Sequence, residues 1–138
     1  MPANTSPIYV KVPRTDWTVI PASVANTAKD GTGTVYTAFT AHATEGSFVS
    51  NVKIRSLGTN VTTVIRLFQN NGSTNATAAN NTLIAEITSP PTTVSEVAAQ
   101  PEFDIPISVG LPAGHRLNIV TATSVAAGFA VTAFGGDY

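Results

Sequence analysis

Phe48-Val49-Ser50-Asn51-Val52-Lys53-Ile54-Arg55 alternates apolar and polar side chains almost residue by residue. Successive side chains of a β-strand point to opposite faces, so a period of two predicts a half-buried strand. Phe48, Val52 and Ile54 are expected to face a core, and Asn51, Lys53 and Arg55 to face outward. No long stretch of the chain sustains the 3.6-residue period of an amphipathic helix. The one weak helical candidate, residues 94–100, follows Thr92-Thr93, which favours a strand.

Outward from this segment, short β-prone runs recur with turn signals between them. Upstream, residues 17–24 form a run that Pro21 assigns to a sheet edge or a bulge. Asp30-Gly31 turns the chain into residues 34–40, with Val35, Thr37 and Phe39 on one face. Glu45-Gly46 then leads back to Phe48. Downstream, residues 61–69 carry Ile65 and Leu67 on one face and Val64, Arg66 and Phe68 on the other. Apolar groups on both faces predict a central strand, or one covered by a partner. Runs at 83–88 and 92–98 flank Ser89-Pro90-Pro91. Phe103, Ile105, Ile107 and Val109 alternate in a run that Pro106 places at an edge. Pro112-Ala113-Gly114 turns into residues 116–123, and residues 128–134 put Phe129, Val131 and Ala133 on one face. About eight short strands with short loops predict an all-β fold, a two-sheet antiparallel sandwich of the jelly-roll type.

Two segments stand apart from this pattern. Residues 1–16, with Pro2, Pro7 and Pro13, are expected to form an extended N-terminal arm ahead of a β-sandwich domain over residues 17–138. Ile8, Tyr9, Val10 and Val12 predict that the arm docks, on its own domain or on a neighbour. Residues 70–81, Asn-Asn-Gly-Ser-Thr-Asn-Ala-Thr-Ala-Ala-Asn-Asn, have no large apolar anchor and are expected to project as a loop. Their Asn-x-Ser/Thr triplets follow from Asn and Thr richness. The N-terminus has no basic start followed by an apolar run, so no secretory signal is expected. No window approaches the ~20 apolar residues of a membrane-spanning helix.

Chemistry is sparse. Charged residues are 11% of the 138, against about 25% in an ordinary soluble domain, while apolar content is 43% and net charge −1. Neutral amides and hydroxyls cost less to bury than ions, a composition suited equally to extensive protein contacts and to a merely threonine-rich β surface. With only seven basic residues, phosphate neutralisation and nucleic-acid binding are not expected. Cysteine is absent, and His42 and His115 have no ligand-spaced partner, so neither a metal nor a cofactor is expected. No nucleophile elbow, phosphate loop or paired-carboxylate arrangement suggests catalysis. Glu102 and Asp104 share one face of one strand, where solvation is their expected role. Lys53 and Arg55 form a small outward basic pair that Arg66 could join from the next strand, to meet an acidic partner or to stay solvated.

Three stretches carry a resemblance: Leu57-Gly58-Thr59-Asn60-Val61-Thr62-Thr63-Val64-Ile65-Arg66-Leu67-Phe68, then Leu111-Pro112-Ala113-Gly114-His115-Arg116-Leu117, and the ending Ala130-Val131-Thr132-Ala133-Phe134-Gly135-Gly136-Asp137-Tyr138. Together they resemble small β-sandwich virion proteins of tailed bacteriophages, most of all capsid decoration (cement) proteins. The resemblance implies a non-enzymatic homotrimer on the head shell, contacting the major capsid protein or another virion protein, in a particle assembled in the host cytoplasm. No nucleic acid, membrane or cofactor is implied. Ile8, Tyr9, Val10, Val12, Lys53, Arg55, Arg66 and Tyr138 are the expected partner-contact residues. The alternatives are a tail-fibre, baseplate or head-fibre module, and a carbohydrate-binding sandwich. The last is disfavoured because Trp17 is the lone tryptophan.

Overall fold

The structure, a computed structural model, describes residues 10–138. Ile8 and Tyr9, two of the expected arm contacts, therefore lie outside the described residues. The rest folds as β1 (Val12–Ile20), β2 (Tyr36–Thr40), β3 (Ser47–Ser56), β4 (Thr63–Asn70), β5 (Asn81–Ser89), β6 (Glu102–Ile105), β7 (Val109–Leu111), β8 (Arg116–Thr121) and β9 (Phe129–Asp137). One sheet has the order β1-β9-β3-β6, with β7 also on β3. The other has the order β2-β8-β4-β5, and every pairing is antiparallel. With β6 and β7 taken as halves of one interrupted strand, the chain passes between the sheets in the order of an eight-stranded jelly roll. β4 is central, one of the two outcomes that its apolar faces predict.

The core lies between the sheets. Ile20, Val52, Ile54, Phe129 and Val131 meet Phe39, Ile65, Leu67, Leu117 and Ile119, all effectively inaccessible to solvent. Full burial of each such side chain contributes about 1.5–3 kcal/mol, so this layer supplies most of the driving force.

Departures from the simple alternation have local causes. A bulge at Ser50 shifts β3 by one residue, so Val49 faces the core and Phe48, expected inside, faces out. A second bulge, at Ala38, likewise breaks the Val35-Thr37-Phe39 series, burying Ala38 and Phe39. The run from Phe103 to Val109 is two strands rather than one. Between them Ser108 takes a positive φ of 42° and its N–H donates to Ser50 O at 3.0 Å, pinning the break to the β3 bulge. Residues 92–98 form no strand. After a single bridge between Thr92 and Asn60, the Ser95 hydroxyl accepts the N–H groups of Val97 and Ala98, a local turn that competes with ladder formation. Val12 to Asp16, expected in the arm, form the first half of β1, paired with β9.

Asn60 closes one end of the sandwich. Its Nδ2 donates to Ser56 Oγ and Gly128 O, and its Oδ1 accepts from the N–H groups of Ala127 and Gly128. All four amide valences are used in a residue only 2% exposed. Net values near 1 kcal/mol per bond, with the penalty for orphaned partners, predict that Asn60→Ala lowers the free energy of unfolding by about 2–4 kcal/mol in urea titration.

Candidate interaction surface

The two outer faces of the sandwich are treated differently. On the β2-β8-β4-β5 sheet, Phe68 and Val120 point away from the core yet are only 1% exposed. Residues 26–34 cross this side. Asn26 N–H donates to Thr121 O of β8, while Asn81 Nδ2 of β5 donates to Asp30 O. Gly31, at φ +78°, lies so close to Asn81 that a Cβ would clash with its side chain. The Asn-rich loop, expected to project, is instead stitched to this crossing. Asn75 Nδ2 donates to Gly31 O and Gly33 O, Asn70 Nδ2 donates to Asn81 Oδ1, and Arg116 donates to Asn70 Oδ1 and Ser73 O. Asparagine amides substitute for the ladder bonds that the loop backbone lacks.

The outer face of the β1-β9-β3-β6 sheet has no such cover among the described residues. Cross-strand register arranges it in four rows. Pro13, Gly136, Phe48 and Gly110 form the first row, and Thr15, Phe134 and Asn51 the second. Trp17, Thr132, Lys53 and Asp104 form the third, and Val19, Ala130, Arg55 and Glu102 the fourth. Trp17 is 74% exposed and Val19 48%. Gly136 admits Val10, whose side chain occupies the space a Cβ would fill, and the Tyr138 hydroxyl lies over Gly110. The charged corner is internally neutral: Glu102 meets Lys53 at 3.5 Å and Arg55 at 3.6 Å, and Asn51 donates to Asp104.

This face exists because β1 is inverted. Its apolar Trp17 and Val19 point out, while Arg14, Asp16 and Thr18 point toward the second sheet. Arg14 donates to Asp137 Oδ1 at 2.8 Å, to Asp16 and to Thr40 O at 3.1 Å, and its guanidinium lies 4.6 Å above the Phe39 ring. Asp137, 8% exposed, also accepts from Ser47 Oγ. Charge pointing inward from an edge strand is one way to keep that edge from pairing promiscuously.

The opposite margin of the molecule carries a second uncovered apolar group. Residues 90–101 loop out beside Asn60, held by the Thr92 bridge and by Val94 N–H donating to Thr59 Oγ1. Val97 at its tip is 98% exposed, with Val94, Val61 and Leu57 more than half exposed nearby.

Of the expected contact residues, Val10, Lys53, Arg55 and Tyr138 fall on the open face, with Val12 at its end. Arg66 does not join Lys53 and Arg55. It lies in the other sheet, pointing to the opposite side, nearly buried and paired with Glu86 at 2.7 Å. Trp17, Val19, Phe48 and Phe134 lie on the same face and are not among the expected residues. The apolar parity of Trp17 and Val19 was visible, but an apolar parity ordinarily marks the core side. His42 Nδ1 serves its own turn at Thr44 and Glu45, and His115 pairs with Gln69. Among the described residues no three His, Cys, Asp or Glu side chains converge as metal ligands. No protein-family model matches the sequence, and neither the curated proteins nor the solved structures contain a match.

Burial opposes ionisation of Asp137, but donation from Ser47 and Arg14 outweighs it and holds the carboxyl below its ordinary value of 3.8. With the folded-state value depressed, the unfolded chain binds more protons as the pH drops past 3.8. The stabilisation is complete above that value and is lost as the pH falls through the folded one. Urea midpoints should therefore decline in acid below about pH 4. Asp137→Asn should make that decline shallower while lowering stability at neutral pH; an unchanged acid slope counts against this role.

Proposed function

We propose that this chain is a structural subunit of a virion, a capsid decoration (cement) protein of a tailed phage that acts by binding and not by catalysis. The observation that carries the reading is the presence of two separate apolar surfaces that no described residue covers, one on a sheet face and one on a loop tip, on a nearly uncharged body. A subunit that ties others together needs more than one contact surface, and contacts of this kind depend on area and shape more than on reactive groups. The phrase-level likeness to decoration proteins points the same way, as does the jelly-roll order, which recurs in viral shells. It also recurs in lectins and cupins, so the fold alone does not select the function. The oligomer implied by that likeness is a homotrimer, with the major capsid protein as the shell partner.

One observation favours a second reading. Trp17 borders an open groove of about 300 Å³ between the edge strands β1 and β2, where Thr15, Asp16, Thr37 and Thr40 supply polar groups. An exposed indole beside hydroxyls suits the apolar face of a neutral sugar. Titration with neutral oligosaccharides, read by the emission of Trp17, the only tryptophan, supports that reading if the signal saturates.

The test of the virion reading is co-sedimentation with heads of the encoding phage stripped of their own copy of the protein. Saturable binding to heads and none to isolated tails is expected, and the reverse assigns the chain to the tail. The double variant Val94→Asp, Val97→Asp should weaken head binding at least about tenfold, equivalent to some 1.4 kcal/mol, with an unchanged urea midpoint. Deleting residues 2–9 spares β1 and isolates the arm: weaker head binding is expected, and unchanged binding removes the arm from the contact.

A further inference from the structure

We infer that the open face of the β1-β9-β3-β6 sheet is a twofold contact with a second copy of this chain. The inference rests on reading that face as a protein contact, but not on the identity of any shell.

The register supplies the argument. A twofold axis lying in the plane of the face, perpendicular to the strands, stacks each strand on its own copy and exchanges the four rows end for end. The first row then meets the fourth, and the second meets the third. Along β1 this sets Pro13 against Val19, apolar on apolar, and the short uncharged Thr15 against the Trp17 indole. Along β9 it sets Gly136 against Ala130 and Phe134 against Thr132. Val10, seated over Gly136, thus meets the small Ala130 methyl group, and the bulky Phe134 ring receives a short side chain. Along β3, Phe48 meets Arg55 and Asn51 meets Lys53. No like charges face one another, and a guanidinium over an aromatic ring is favourable. The alternative axis, parallel to the strands, would lay apolar β1 over the Glu102 and Asp104 column of β6 and desolvate carboxylates against Trp17.

Charge and area agree with a homotypic contact. The face carries Lys53 and Arg55 beside Glu102 and Asp104, a net charge of zero that neither attracts a charged partner nor repels its own copy. Four strands about 4.8 Å apart and seven residues at about 3.3 Å give a footprint near 450 Å² in projection. Accessible area exceeds projected area, which sets the contact at or below the lower end of the roughly 600–1,000 Å² per partner of specific interfaces. Association is accordingly reversible and concentration-dependent. It differs from the threefold ring implied by the likeness to decoration proteins, in which two different surfaces meet.

Sedimentation equilibrium of the full chain, with Trp17 emission recorded across the same concentrations, tests the contact. The expected mass rises from 14.2 kDa toward twice that value, and the emission shifts to the blue in step as the indole leaves water. Thr132→Arg, at the centre of the face, should weaken association about tenfold or more without moving the urea midpoint. Trp17→Ser, on the exposed edge, gives an independent second variant read by mass alone. A monomer at every concentration overturns the inference, as does a trimer, which agrees instead with a threefold ring, or a dimer whose mass ignores both substitutions. None of these outcomes bears on head binding, which is measured separately.

Discussion

Arg14 reaches inward from an edge strand to a carboxylate near the chain's end, and the facing of β1 depends on that contact. Its guanidinium joins β1 to Asp137 of β9 and to the Thr40 carbonyl of β2, while lying on the Phe39 ring. A one-residue slip of β1 would turn Trp17 and Val19 inward, a gain of several kcal/mol in apolar burial. The same slip would expose Ile20, now fully buried, and leave Asp137 without its cation. Losing the charge-assisted bonds of Arg14 to Asp137 and Thr40 costs about 1.5–3 kcal/mol each, and the loss of Ile20 about 2 more. The observed register wins, and an exposed tryptophan is its consequence.

From that register follows an asymmetry between the two outer faces. On the β2-β8-β4-β5 sheet the outward Phe68 and Val120 are buried, and residues 26–34 cross that side, held by side chains from the Asn-rich loop. The fold therefore spends a twelve-residue polar segment on covering one face. The other sheet receives no equivalent cover among the described residues, and its aromatic and aliphatic side chains stay in water. Together with the exposed valines of the 90–101 loop, this gives the molecule two directions in which association removes apolar surface from solvent.

The fold class was legible because alternation is a direct record of pleat and burial. The Lys53-Ile54-Arg55 segment, the two apolar faces of β4 and the Phe129-Val131-Ala133 series all lie where their pattern places them. Pattern reading failed at bulges, because one extra residue reverses the facing of every residue beyond it. Phe48 moved to the outside for that reason. It failed again at residues 92–98, where Ser95 turned a β-prone run into a loop. The candidate surface was only half legible. Lys53, Arg55, Val10 and Tyr138 could be named, whereas Trp17 and Val19 carry a parity that a sequence reader assigns to the core.

What the sequence determined by itself was the all-β class, the two apolar faces of β4, and a nearly uncharged composition without local spacing for metal or nucleotide chemistry. Those properties depend on neighbours in the chain or on composition. Tertiary structure alone decided that Arg66 and Lys53 lie on opposite sides of the sandwich, that the Asn-rich segment is a seam and not a projection, and that β1 wears its apolar side outward. Each of these is set by partners far along the chain, Asp137 for Arg14 and Gly31 and Gly33 for Asn75. A period of two reports that a strand has two faces; which face meets the core is decided by those distant partners.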